Sequence, residues 1–194
     1  MAGKYGCGKT TTAKIIQREL NGFELIAIDE TRSKMGITQY RREDTPRVMQ
    51  RMHDDMTTAL CTGGDVIVER PHQTSKSRFL SYAIARQHGR TMIILECTCP
   101  EDVAKVRISR RVLGTGTHLL GADGYLSAND PAIYDRISRL WENIGADFRK
   151  DSSLRNRLSY VVYDSHEHKI TLVNQLEIHR EFIEKLSGIL REIV

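Results

Sequence analysis

Gly3-Lys4-Tyr5-Gly6-Cys7-Gly8-Lys9-Thr10 fits the spacing G-x-x-x-x-G-K-[ST] in full. Glycines at these places let successive backbone N–H groups point into one concavity. A helix must follow, so that its positive N-terminal end faces the same point. Lys9 adds a compact charge, and Thr10 adds a hydroxyl suited to Mg²⁺. A nucleoside triphosphate, ATP with Mg²⁺, satisfies this set. The residues expected to hold it are Gly3, Tyr5, Gly6, Cys7, Gly8, Lys9, Thr10 and Thr11. Such a loop normally leaves a buried central strand. Only Met1 and Ala2 precede Gly3, so an incomplete or misassigned start is expected.

The remainder of the chain alternates short apolar runs with helical patterns. Phe23–Asp29, Asp65–Glu69, Thr91–Cys97 and Leu158–Tyr163 are continuous aliphatic runs, the pattern of parallel strands covered on both faces. Helices are expected at Thr10–Leu20, after Thr45-Pro46, at Ser77–His88, Glu101–Val112, Pro131–Ile144 and Asn174–Ile193. Strands alternating with helices imply an α/β fold with right-handed crossovers. Gly114–Asn129 holds four glycines and little periodicity; with the basic helix before it, it reads as a lid spanning about 105–130.

Strand C-termini face the ligand crevice in such sheets, which singles out two carboxylates. Asp29 stands where it can take a proton from an acceptor hydroxyl, and Arg32, one helical turn on, where it can clamp an anionic part of the acceptor. Glu69 stands where an acid organises Mg²⁺, so Thr10 and Glu69 are the expected metal residues, with Arg70 and His72 lining the acceptor pocket. Lys105, Arg107, Arg110 and Arg111 lie on one helix, and Arg107 shares a face with Arg110 and Arg111. An arginine brought over the γ-phosphate neutralises charge that spreads during transfer, which makes Arg107 and Arg111 catalytic candidates beside Lys9, Asp29 and Arg32. Arg111 is also a candidate nucleotide contact.

The 194 residues, 40% of them hydrophobic, suffice for one domain. No window approaches the length of a membrane span, and the four scattered cysteines lack the spacing of a zinc site, so reduced thiols and a cytoplasmic location are expected. A net charge of +4 suits phosphate handling without requiring nucleic acid. The basic segment Arg32–Arg51, with Tyr40 in it, keeps a nucleic-acid end open as acceptor. The oligomeric state is not legible.

In the order of its loop, Asp29-x-x-Arg32, the acid closing the third run and the Arg107-x-x-Arg110-Arg111 series, the chain resembles the P-loop kinase superfamily. It is similar to small kinases related to polynucleotide 5′-hydroxyl kinases, zeta toxins and adenylylsulfate kinases. The resemblance covers roughly residues 1–113. It implies a three-layer α/β/α fold with a five-stranded parallel sheet in the order 2-3-1-4-5 and a helical lid. It also implies transfer of the ATP γ-phosphoryl group to a hydroxyl of a small molecule or nucleic-acid end. Asp29 would be the general base and Arg32 a phosphate clamp. Asp164-Ser165-His166-Glu167-His168 falls where the superfamily often holds adenine. Two other functions use the same loop: a nucleotide switch or ATPase without acceptor, and a toxin-like kinase of sugar nucleotides.

Overall fold

The structure, a computed structural model, describes residues 1–37, 41–113 and 132–192. In chain order the elements are β1 (Ala2–Gly3), α1 (Lys9–Glu19), β2 (Phe23–Ala27), α2 (Ile28–Lys34), α3 (Thr45–Cys61), β3 (Asp65–Glu69) and α4 (Ser75–Gln87). They continue with β4 (Met92–Thr98), α5 (Glu101–Leu113), α6 (Ala132–Leu140), α7 (Asp147–Lys150), β5 (Leu158–Asp164), β6 (Lys169–Asn174) and α8 (Arg180–Arg191). No helix among the described residues is long and apolar enough to cross a membrane.

The aliphatic runs form strands because each presents apolar side chains to both sides of the sheet. Leu25, Ala27, Ile67, Leu95, Cys97, Val161 and Tyr163 pack on one face with α1, α5, α6 and α8. Ile26 packs on the other face with α3, and Ile94, Leu158 and Tyr160 pack there with Tyr82 of α4. These two apolar layers make the α/β/α sandwich. Buried Ile183, Leu186 and Leu190 form the helical stripe that docks α8. Thr74 caps α4 by accepting a hydrogen bond from the Ser77 amide at 3.2 Å.

Two features depart from the sequence reading. The sheet has an added edge strand: β6 pairs antiparallel with β5, and the closing helix expected from residue 174 begins only at Arg180. Leu172 and Val173 of β6 are about half exposed, so its apolar content did not mark a buried strand. The pairing is also divided into β2-β3, parallel, and β1-β4-β5-β6. Among the described residues, backbone hydrogen bonds link the start of the chain to the end of β3: the Met1 amino group to the Val68 carbonyl at 2.8 Å, and the Gly3 amide to the Pro71 carbonyl at 3.2 Å. Below that seam a cavity of about 370 Å³ lies between β3 and β4, walled by Val66, Ile67, Ile93 and Ile94.

Candidate active site

The phosphate loop leaves β1 and enters α1 at Lys9. Two glycines shape it. Gly8, the residue before α1, has φ +78°, and Gly6 has φ +77°, which favours glycine at both. A Cβ on Gly6 would lie 2.5 Å from the Ala104 carbonyl oxygen of α5, so the loop sits directly against that helix. Lys9 is buried, and its Nζ donates to the Lys4 carbonyl at 2.9 Å while lying 5.4 Å from the Tyr5 ring centre. The ammonium is thus folded back inside the loop. Thr10 and Thr11 are exposed in the first turn of α1.

Glu69 ends β3 almost fully buried. Burial pushes its carboxyl above the usual range; Lys9 and the Thr10 hydroxyl pull it back, and Asp29 pushes it up further. Glu69 is thus within hydrogen-bond reach of the Thr10 hydroxyl and within electrostatic reach of Lys9 and Asp29. One hydroxyl and one or two carboxylates, with room left for phosphate oxygens and water, is a donor set that suits Mg²⁺.

The strand expected through Asp29 stops at Ala27, and Asp29 lies in the first turn of α2. This keeps the carboxylate at the strand end and sets Arg32 one turn on. Arg32 Nη1 donates to Asp29 Oδ1 at 2.9 Å; the arginine side chain is 7% exposed and the aspartate 71%. The geometry is a held carboxylate facing open space. Beyond Glu69, Arg70 and His72 are both buried. Arg70 donates to the Ser77 carbonyl and the Ser81 hydroxyl, and its Nε faces the His72 ring nitrogens at 3.3 and 3.4 Å. Those acceptors are neutral, and burial lowers the guanidinium to about 10. Burial and then Arg70 hold His72 well below the ordinary imidazole range and lower His53 of α3 as well. His53 Nε2 has no partner among the described residues. His72 itself carries φ +52°, an uncommon backbone for a side-chain-bearing residue.

Arg107 is placed differently from the expectation of an arginine poised over the γ-phosphate. Its guanidinium donates to the Ser165 hydroxyl at 2.8 Å, the Ser165 carbonyl at 3.0 Å and the Gly6 carbonyl at 3.4 Å. It therefore ties the β5–β6 turn to the phosphate loop. That turn holds the segment Asp164–His168; Asp164 Oδ1 accepts from the His166 and Glu167 amides, and His168 Nδ1 lies 3.0 Å from the Tyr163 hydroxyl. Lys105 is engaged by Glu101 and Asp135 at 2.7 and 2.9 Å. Arg110 is exposed. Arg111 lies on α5, and its side chain is outside the described residues, as are Tyr40 and the lid residues 114–130. An Arg107→Ala variant should release the turn. We expect Mg·ATP affinity to fall about tenfold in calorimetry, the effect of losing hydrogen bonds made by a charged group.

A family model described as an AAA domain matches residues 1–119. The chain belongs to this AAA-domain family. Its fold is that of the P-loop kinases. A kinase candidate from Chloroflexus aurantiacus, solved at 1.70 Å, superposes with a TM-score of 0.55 at 22% identity, over 67% of this AAA-domain chain and 73% of the other. An APS kinase from Mycobacterium tuberculosis, in complex with AMPPNP and APS, aligns with a TM-score of 0.48 at 18% identity, over 72% and 91% of the two chains. No curated protein matches the sequence.

A site that sequence reasoning missed is the support beneath His72. Arg78 Nη1 donates to the His72 carbonyl at 2.8 Å, while its Nε and Nη2 grip Asp147 at 2.6 and 2.9 Å. Asp147 also accepts from the Ser75 and Tyr82 hydroxyls. Burial alone would lower Arg78; the Asp147 carboxylate reverses this and leaves it above its ordinary value. The two residues are 69 positions apart, and no local pattern joins them.

Proposed function

We propose that this chain transfers the γ-phosphoryl group of ATP to a hydroxyl of an acceptor that also bears negative charge. The observation that carries this reading is the open carboxylate of Asp29, held by the buried Arg32 at 2.9 Å and within electrostatic reach of Glu69 beside the phosphate loop. A nucleotide-binding switch has no use for an exposed carboxylate held in place by a buried arginine. A kinase has: Asp29 accepts the acceptor's proton as the hydroxyl oxygen attacks phosphorus.

The geometry supports the following roles. The loop amides and the start of α1 bind the triphosphate, and Lys9 leaves the Lys4 carbonyl to meet the phosphate oxygens. Thr10 and Glu69 would hold Mg²⁺, which neutralises phosphate charge when bound. Arg32 orients Asp29 and faces an anionic group on the acceptor. Arg70, charged and surrounded by neutral acceptors, adds positive potential on that side. Arg107 and the turn at Ser165 form the side of the site away from the acceptor residues, where the base of the nucleotide would lie.

Labelled ATP offered with a panel of hydroxyl acceptors tests this reading. The panel should include a 5′-hydroxyl oligonucleotide, sugar nucleotides and adenylylsulfate-like small molecules. A labelled organic product is expected, and Lys9→Ala should reduce its rate about a hundredfold or more, the scale for removing one transition-state donor. Release of inorganic phosphate alone, with every acceptor, would favour the switch or ATPase reading.

A further inference from the structure

Two thiols meet inside the phosphate loop. Cys7 lies between Gly6 and Gly8, and Cys99 follows β4. The Cys99 thiol donates to Cys7 Sγ at 3.4 Å and also approaches the Gly6 carbonyl at 3.9 Å. Both are free cysteines; Cys7 is buried and Cys99 is partly open to solvent. We propose that Cys7 and Cys99 form a reversible disulfide that closes the phosphate loop to nucleotide. This rests on the reading of that loop as a triphosphate cradle.

Closing 3.4 Å to a bond of about 2.05 Å needs a movement of little more than 1 Å. The cost falls on the loop, because its neighbours cannot follow. Gly6 already packs against the Ala104 carbonyl with no space for a methyl group, and Gly8 faces Ser165 at 3.2 Å from where its Cβ would stand. The Cys7 amide is one of those that must point into the concavity, so drawing Cys7 toward the end of β4 turns that donor away. The chemistry is also prepared. The hydrogen bond from Cys99, and next the Lys9 charge, bring the Cys7 thiol below its ordinary range against the opposing effect of burial. The third thiol nearby, Cys97, is held protonated by burial at about 11 and faces the core.

With hydrogen peroxide as oxidant the step balances. The peroxide O–O bond breaks and a sulfur–sulfur bond forms. Each sulfur loses one electron and each oxygen gains one. Both thiol protons leave in two water molecules. A dithiol reductant reverses it by exchange.

The test treats the full chain with hydrogen peroxide and reads two quantities. Intact mass and peptide mapping should show loss of two hydrogen atoms and a Cys7–Cys99 linked peptide. Calorimetry should show Mg·ATP affinity lowered by about tenfold or more and restored by dithiothreitol. Cys99→Ser should bind Mg·ATP like the unmodified chain and lose the response to peroxide. Free Cys7 and Cys99 after treatment would overturn the proposal, as would a linked peptide with undiminished affinity. A linked peptide in a protein whose reduced form binds no Mg·ATP would overturn the nucleotide reading and the gating role with it, while the disulfide itself would stand.

Discussion

Replacing Asp29 by asparagine is expected to reduce phosphoryl transfer by about 10² to 10⁴, the range for removing a general base, while Mg·ATP affinity stays within a few-fold. The side chain is 71% exposed and touches the chain through Arg32, so its replacement disturbs little packing. Asparagine keeps the oxygen that accepts from Arg32 Nη1 and removes only the ability to take a proton. The nucleotide cradle belongs to β1 and α1, so binding and chemistry separate cleanly. Single-turnover transfer and calorimetry on the same preparation decide the matter. Wild-type transfer by Asp29→Asn would sink the assignment of Asp29 as base; affinity lost in parallel would make it a binding residue instead.

The largest loss of stability is expected from Asp147→Ala. Its carboxylate is fully buried and takes hydrogen bonds from Arg78, Ser75 and Tyr82. Removing it leaves a buried guanidinium without its counter-charge, a change that costs about 3–5 kcal/mol. For a chain of this size each kcal/mol moves the melting temperature by about 2–4 °C, so a drop of roughly 6–20 °C should appear in a thermal melt. The double variant Arg78→Met/Asp147→Leu should recover much of it, since apolar replacement removes the stranded charge. A single variant that melts with the parent protein would show the pair to be energetically idle. Because Arg78 also holds the His72 carbonyl, the single variant should raise KM for the acceptor more than for ATP.

The division between what sequence showed and what it hid follows the range of the interactions. The loop at Gly3–Thr10, the run Asp65–Glu69 and the placing of Asp29 and Arg32 at the end of β2 were legible because each is set by neighbours within a few residues, whereas the bond between Asp29 and Arg32 was not read. Strand and helix boundaries shifted where chemistry is ambiguous: Ile28 suits a buried strand as well as a helix start, and the chain turns helical there. Interactions that cross the sequence were invisible. Arg107 meets Ser165 over 58 positions and Arg78 meets Asp147 over 69. The basic stripe on α5 was visible, but the helical pattern could not say that Arg107 turns back to the β5–β6 turn. Strand β6 was hidden because an edge strand with one open face shows no continuous apolar run.

The seam at β1 has a mechanical consequence. Asp29, Arg32, Glu69 and Arg70 ride on the β2-β3 plate, whereas Arg107 and Ser165 ride with the β4-β5-β6 plate. The phosphate loop springs from β1, which pairs with β4 and is hydrogen-bonded to the end of β3. A triphosphate lodged in that loop would meet residues of both plates and so act as the rivet that fixes the spacing between donor and acceptor.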